Sequence, residues 1–188
     1  MNNAEHREAA ASVSVYDMLS AREQRAERQK ALLSEYHSPL ICFTMNIPGP
    51  VKSGEPIHAA FCEGVKRIRR ALASGTENDA ETSFHILHEE YSEAKSGYEY
   101  YAAVSGSAAA LKRICTGIEE ADRLGRLFDI DILDRDGRKE SRKTLGLPPR
   151  RCLLCGRDAR ICGRSRAHEL PALQQEVLKI IEDELHFF

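Results

Sequence analysis

The chain has 188 residues, 42% of them hydrophobic and 30% charged, and a formal net charge of −2. This length suits one domain with a core of its own, and the balance is that of a globular rather than a disordered chain. A net charge near zero gives no overall field favouring nucleic acid or an anionic membrane, and the apolar runs are too short to cross a bilayer.

Residues 1–13 are polar, without an apolar signal core, and we expect a flexible tail on a cytoplasmic protein whose six Cys stay reduced. A single domain over 14–188 is expected to follow. Two capping-box signatures come first, Ser14 with Asp17 and Ser20 with Glu23, and we place the first helix after the second. Apolar spacing predicts the elements in chain order: helix 21–36, strand 40–47, helix 56–74, strands 84–91 and 98–104, helix 107–119, strand 126–133, a cysteine-rich loop, and helix 171–185.

The order from 40 to 133 is β-α-β-β-α-β, which is the split βαβ pattern. It predicts an α+β fold with a mostly antiparallel sheet and helices on one face. The N-terminal helix precedes this unit, and the cysteine-rich loop and the last helix follow it.

Two carboxylates alternate with apolar residues in the strand 126–133. Side chains of a strand point to opposite faces in turn, so Asp129 and Asp131 share the face opposite the core. Leu127 and Leu133 should flank them there and give partial cover. Adjacent carboxylates repel, and Mg²⁺ is held in proteins by one or two carboxylates plus substrate phosphates. We therefore interpret the pair as a magnesium site, the alternative being two acids on a solvent-exposed face.

A cysteine cluster has the spacing Cys152-x2-Cys155-x6-Cys162-x5-His168. Three thiolates and one imidazole form a tetrahedral ligand set suited to zinc, although the central spacing is short for a zinc ribbon. The alternative is that some of these Cys are small buried apolar groups and that His168 begins a helix. The sequence leaves both interpretations open.

Basic residues concentrate around the same cluster. Between positions 135 and 166 there are eleven Lys and Arg against three Asp and Glu, so this segment carries a local positive charge. Guanidinium groups match phosphate oxygens. The segment has no aromatic residue for stacking bases, which argues against single-stranded nucleic acid. The candidates for phosphate contacts within the segment are Arg150, Arg151, Arg164 and Arg166.

Four stretches of the chain resemble one enzyme family. They are Leu147-Pro148-Pro149-Arg150-Arg151-Cys152-Leu153-Leu154-Cys155 continuing through Ala159, Cys162, Arg164-Ser165-Arg166 and His168; Gly125-Arg126-Leu127-x-Asp129-Ile130-Asp131; Asn46-x-Pro48-Gly49-Pro50-Val51-Lys52; and Ser20-x-Arg22-Glu23-x-Arg25-x-x-Arg28-Gln29. Together they resemble the citrate lyase holo-acyl-carrier-protein synthases, or apo-citrate lyase phosphoribosyl-dephospho-CoA transferases. Gly163 stands where Ala is more usual.

The resemblance implies a cytoplasmic nucleotidyltransferase-type domain over 14–188. The reaction it implies attaches 2′-(5″-triphosphoribosyl)-3′-dephospho-CoA to a serine of the apo acyl-carrier subunit of citrate lyase and releases pyrophosphate. Asp129 and Asp131 would hold Mg²⁺ against the triphosphate. The matched stretches also add Arg126 and Lys52 to the candidate phosphate ligands.

Two other classes of function remain open from the sequence. One is a zinc-knuckle module that binds RNA or protein without catalysis, in which the Cys cluster would matter and the two aspartates would not. The other is a structural accessory subunit, in which neither site would matter.

Overall fold

The computed structural model describes residues 12–74 and 83–186. Its helices are α1 (Val15–Tyr36), α2 (Glu55–Ser74), α3 (Ala108–Glu120), α4 (Ala159–Ser165) and α5 (Leu170–Leu185), and its strands are β1 (Leu40–Met45), β2 (Ile86–Ala94), β3 (Gly97–Val104), β4 (Phe128–Leu133) and β5 (Lys139–Glu140). The predicted α+β class is confirmed. Most of the predicted tail, residues 1–11, lies outside the described residues, whereas Val13 is buried and its N–H donates to the Pro50 carbonyl at 2.8 Å.

The five strands form one sheet in the order β2-β3-β1-β4-β5, with every neighbouring pair antiparallel. Strands β1 and β2 lie on either side of β3 and therefore run in the same direction. This is the split βαβ arrangement that the element order predicts. It places β4 next to the central strand, with Thr44 of β1 opposite Asp129 of β4.

The sheet is covered on both faces. Helices α2, α3 and α5 cover the main core, which includes Ile41 and Phe43 of β1. Helix α1 covers the other face, where Leu40 and Cys42 of the same strand are buried. The expectation of helices on one face thus holds for the helices within and after the split βαβ unit, but α1 lies on the opposite face. Burial on both faces explains why β1 is a continuous apolar run.

Close approach of α2 to the sheet requires a residue without a side chain. A Cβ on Gly64 would lie 2.4 Å from the ring of Phe43. Phe43 in turn stacks on Phe61, with their centroids 5.1 Å apart, and meets Phe128 edge-on. These contacts fix β1 and β4 under α2.

Three local predictions were wrong. Helix α1 begins at Val15 because the first capping box is the one that forms, with the Ser14 hydroxyl accepting from the Asp17 N–H. A 3₁₀ turn, Gly125–Leu127, precedes β4, and it turns Leu127 into the main core instead of beside the aspartates. The cysteine-rich loop contains a short helix, α4, because Asp158 caps it by accepting from the Arg160 N–H.

Candidate active site and metal-binding knuckle

The outer edge of β4 is bonded by side chains rather than by a full neighbouring strand. Strand β5 pairs only with Ile132 and Leu133. Farther along the edge, the Ile130 N–H donates to Oε1 of Glu119 at 2.9 Å, and the Ile130 carbonyl accepts from Nζ of Lys112 at 2.6 Å. Both charged residues come from α3 and are at most 5% exposed. The backbone N–H and carbonyl of Ile130 thus provide hydrogen-bond partners for two buried charged side chains.

Glu119 connects this edge to the basic segment. Its Oε1 also accepts from Nη2 of Arg150 at 2.7 Å, and its Oε2 accepts from Nη2 of Arg142 at 2.5 Å. The Arg150 guanidinium donates in addition to the Phe128 carbonyl at 2.5 Å. One buried carboxylate therefore holds two arginines against β4, with charge-assisted hydrogen bonds that fix their direction.

The two aspartates lie on one face of β4, as the alternation predicts. Oδ1 of Asp129 is 3.5 Å from Nη1 of Arg150, and Oδ2 of Asp131 is 2.5 Å from Nζ of Lys139. Loss of hydration against the surrounding walls, followed by the charge of Asp131, raises the pKa of Asp129, although half of its side chain remains exposed. Among the described residues, none donates a hydrogen bond to either oxygen of Asp129, and Asp131 accepts one only at Oδ2. The donor set therefore fits a hard divalent cation such as Mg²⁺.

A charged cavity of about 900 Å³ contains this pair. Its lining joins α3, β4, β5 and the segment that follows β5. The charged side chains lining it are Lys112, Glu119, Asp129, Asp131, Lys139, Glu140, Arg142, Lys143, Arg150 and Arg160. Cations outnumber carboxylates, so the cavity suits a polyanion, and the carboxylates suit a metal that accompanies it.

The predicted Cys and His set comes together in one tight knuckle. The Cys152 N–H donates to the Arg157 carbonyl at 2.6 Å, and Gly156 takes a positive φ of 69° at the turn between them. Sγ of Cys155 lies 3.5 Å from Sγ of Cys162 and 3.3 Å from Nε2 of His168. All four ligand atoms lie within 4.8 Å of one another, so the group could bind a metal ion.

The thiols of this knuckle have contrasting environments. Nε of Arg157 donates to Sγ of Cys155 at 3.4 Å and, as the largest contribution, lowers the pKa of that thiol to about 5. Loss of hydration is the main cause that raises the pKa of Cys162 to about 11. A cysteine binds a metal ion as its thiolate, and the Cys155 thiol ionises more readily than that of Cys162. Three sulfurs and one imidazole nitrogen form a closed ligand set of the type that holds structural zinc.

The knuckle is attached to the sheet and leaves a second cavity beside it. Nη2 of Arg126 donates to the carbonyls of Arg151 at 2.5 Å and Cys152 at 2.9 Å. Between the knuckle, the residues after β1 and α5 lies an apolar cavity of about 500 Å³. It shares Asn46, Arg150 and Ala159 with the charged cavity, so the two are adjacent.

Most of the predicted site residues lie at one of these cavities. Asp129, Asp131 and Arg150 line the charged cavity, and the residues that line the apolar one include Arg126, Arg150, Arg151, Cys152, Cys162, Arg166 and His168. Arg164 is exposed on α4 and lines neither cavity. Lys52 lines neither, and its ammonium donates to the Ile47 carbonyl.

Sequence reasoning missed Lys112 and Glu119. Lys112, Thr116 and Glu119 form a buried stripe with helical spacing beside the apolar stripe of α3. That spacing is the only signal of their burial in the sequence. Charged residues on a helix are usually exposed, so the stripe by itself indicates a solvated face.

The fold and the site together define an α+β domain with paired carboxylates in a cationic cavity and a knuckle of four candidate metal ligands. Residues 13–184 match the model of the family described as apo-citrate lyase phosphoribosyl-dephospho-CoA transferase, and the chain belongs to this family.

Curated relatives agree with this assignment. A probable apo-citrate lyase phosphoribosyl-dephospho-CoA transferase of Streptococcus pyogenes serotype M18 is 38% identical over 174 residues, covering 90% of this chain and 86% of the relative. The apo-citrate lyase phosphoribosyl-dephospho-CoA transferase of Escherichia coli O6:K15:H31 is 36% identical over 172 residues, which cover 92% of this chain and 90% of the relative. The family does not favour a binding module without catalysis. Among residues 12–74 and 83–186, no helix is long and apolar enough to span a membrane.

Proposed function

We propose that this chain transfers the prosthetic group of citrate lyase. The donor is 2′-(5″-triphosphoribosyl)-3′-dephospho-CoA, and the acceptor is a serine hydroxyl of the apo acyl-carrier subunit. The serine oxygen forms a bond to the α-phosphorus of the triphosphate, the bond from that phosphorus to the bridging oxygen breaks, and pyrophosphate leaves with the electron pair while the serine proton passes to solvent. The observation that carries the proposal is the carboxylate pair of β4 inside a cationic cavity, in a chain of this family.

Asp129 and Asp131 are the proposed catalytic residues and the proposed ligands of Mg²⁺. When bound, Mg²⁺ would neutralise charge on the triphosphate. Arg150 and Lys139 lie beside the two carboxylates, where they can bind phosphate oxygens as the pyrophosphate departs. Glu119 fixes the direction of Arg150, so that the guanidinium is in place before the donor binds.

The other arginines are proposed donor ligands. Arg126, Arg151 and Arg166 line the apolar cavity that adjoins the charged one. Arg164 and Lys52 stay in the proposed phosphate-binding set from their motifs alone. From their positions they would contact parts of the donor that extend beyond both cavities.

The Cys152, Cys155, Cys162 and His168 knuckle is proposed to hold a structural Zn²⁺. Such a site is closed by four protein ligands and contributes to folding. Because Arg150 and Arg151 directly precede Cys152, a fixed knuckle would present these arginines to the donor. The proposed partners are thus the donor and the acyl-carrier subunit, without nucleic acid or membrane, and the proposed location is the cytoplasm.

Pyrophosphate release is a direct test of this function. The purified protein is incubated with the donor, Mg²⁺ and the apo acyl-carrier subunit, and pyrophosphate is measured against time. We expect release that requires all four components and that fails with an acyl-carrier subunit whose acceptor serine is replaced by Ala. Release that is independent of the acyl-carrier subunit would contradict the proposal.

A further inference from the structure

The apolar cavity differs in chemistry from the charged cavity that adjoins it. Its walls include Pro48, Leu153, Leu170 and Leu173, contributed by the segment after β1, the knuckle and α5. Leu170 is itself 42% exposed, so apolar surface is accessible at this cavity. Its volume of about 500 Å³ falls within the range of roughly 300–1,000 Å³ that small-molecule sites occupy.

The cavity also carries a cation that pairs with none of the described residues. The Arg166 guanidinium makes no hydrogen bond or ion pair with any residue that the structure describes, whereas its backbone ends α4 in a left-handed conformation. Toward the residues that the structure describes, the Arg151 guanidinium donates a single long hydrogen bond, at 3.3 Å, to the Gly156 carbonyl. Glu169 is the one carboxylate in the lining. Two arginines with free donors beside an apolar surface suit a ligand that is part apolar and part anionic.

A nucleotide with an uncharged arm fits this description better than a bare polyphosphate does. Apolar walls offer nothing to replace the hydration of a triphosphate. The charged cavity has the opposite character, because carboxylates and cations line it together. The two cavities meet at Asn46, Arg150 and Ala159, so one ligand can extend from one to the other.

We propose that the apolar cavity binds the dephospho-CoA half of the donor, while the ribosyl triphosphate lies in the charged cavity. This inference rests on the proposed function. The apolar surfaces of the base and the pantetheine arm pack against Leu153 and Leu173. The diphosphate between them is bound by Arg166 and Arg151. The knuckle thereby forms one wall of a nucleotide site.

Gly163 offers a way to fill this cavity without disturbing the fold. It lies in α4 and lines the cavity, and a Cβ built on it has no atom within 4 Å. Gly163→Leu therefore adds a side chain in free space and replaces a residue that disfavours helix. Gly117 of α3 is the matched control, since it is also helical, its Cβ also meets nothing within 4 Å, and it lies in a groove between α2 and α3.

The test is calorimetric titration of the purified protein with two probes: dephospho-CoA without Mg²⁺, and inorganic triphosphate with Mg²⁺. We expect Gly163→Leu to weaken dephospho-CoA binding at least 10-fold, Gly117→Leu to leave it unchanged, and Arg166→Gln to weaken it at least 5-fold. Asp129→Asn should weaken the binding of magnesium triphosphate and leave that of dephospho-CoA unchanged. Gly163→Leu should weaken the binding of dephospho-CoA and leave that of magnesium triphosphate unchanged. If Gly163→Leu lowers the melting temperature, the affinity of Arg166→Gln for dephospho-CoA alone tests the inference.

Two results would overturn the inference. One is that dephospho-CoA fails to bind the wild-type protein, or that it binds Arg166→Gln and Gly163→Leu as tightly as it binds the wild type. The other is a Gly163→Leu protein that keeps the KM for the donor and raises the KM for the acyl-carrier subunit, which would assign the cavity to the acceptor while transfer itself stands. Conversely, dephospho-CoA binding with the expected variant pattern, in a protein that catalyses no transfer, would support the subsite and refute the proposed function.

Discussion

Glu119 places a buried negative charge between two arginines and a strand edge. Its carboxylate accepts from Arg142, Arg150 and the Ile130 N–H, and its side chain is 2% exposed. A charge at this depth is stable only while its partners remain, because removing one partner leaves the others buried and unpaired. If Arg150 binds the donor as proposed, Glu119 is a positioning residue, and its loss should lower both stability and catalysis.

Replacing Glu119 with Gln should lower the free energy of unfolding by about 3 kcal/mol, since two arginines then lose their shared counter-charge. Glu120 is the matched control. It pairs with the same Arg142, but its side chain is 49% exposed, so Glu120→Gln should cost less than about 1 kcal/mol. Urea unfolding of both variants gives the comparison. Equal losses would show that burial at position 119 contributes nothing.

Asp129→Asn should abolish transfer without destabilising the protein. Burial and Asp131 raise the folded-state pKa of Asp129 above its unfolded value, so its ionised form opposes folding at pH 7, and this penalty disappears as the pH falls. A neutral Asn removes the penalty, and the melting temperature should stay level or rise. Transfer should fall by about 100-fold or more, because a proposed ligand of Mg²⁺ is lost. Asp136→Asn, in the exposed turn before β5, should change neither quantity. Transfer at the wild-type rate in Asp129→Asn would remove this residue from the site.

Helix α2 is linked to strand β2 by an ion pair that should respond to acid. Arg69 donates to both oxygens of Glu89, at 3.0 and 2.7 Å, and the Tyr100 hydroxyl donates to the same carboxylate at 2.8 Å. The bond from Arg69 is the main cause that lowers the pKa of Glu89 below its ordinary value of 4.5. A carboxyl with a lowered folded-state pKa stabilises the fold above the unfolded pKa and loses that contribution as the pH falls through the folded one.

The free energy of unfolding of the wild type should therefore decline below about pH 4.5 more steeply than that of Glu89→Gln. Glu93→Gln, in an exposed position of the same strand, should follow the wild type. The measurement is urea unfolding at several pH values between about 3 and 7. Parallel curves for the wild type and Glu89→Gln would contradict the assigned role of this pair.

The knuckle should contain one zinc ion per chain. Elemental analysis of protein purified without added metal gives the stoichiometry, and a strong chelator should lower the melting temperature because structural zinc contributes to folding. Cys155→Ser should reduce both zinc content and stability. Cys62→Ser in α2, outside the knuckle, should leave the zinc content unchanged. A zinc content near zero with free thiols would instead favour the alternative that these Cys are small buried apolar groups. In that case Cys152→Ala would lower the free energy of unfolding by roughly 1 kcal/mol per methylene-sized group removed.

Periodicity and spacing predicted the parts of the site that lie within one element. The alternation in β4 placed Asp129 and Asp131 on one face, and the spacing from Cys152 to His168 predicted a set of ligands that the fold brings together. Lys112 and Glu119 could not be predicted in this way. Their partners are backbone groups of β4, and only the assembled sheet shows that this edge lacks a full neighbouring strand.

Interactions between elements assemble the site as a unit. Arg142 and Arg150 tie the segment after β5 to α3, and Arg126 ties the knuckle to the turn before β4. The two cavities therefore depend on contacts between distant parts of the chain. This arrangement is consistent with the proposed single domain over 14–188, in which the donor would reach both cavities at once.

The proposed transfer is tested most directly by the intact mass of the apo acyl-carrier subunit after incubation with this protein, the donor and Mg²⁺. We expect a single added group whose mass is that of the donor less pyrophosphate, located on one serine. Asp129→Asn should leave the subunit unmodified over the same time, while Asp136→Asn should modify it as the wild type does. An acyl-carrier subunit that keeps its original mass with the wild-type protein would refute the proposed transfer.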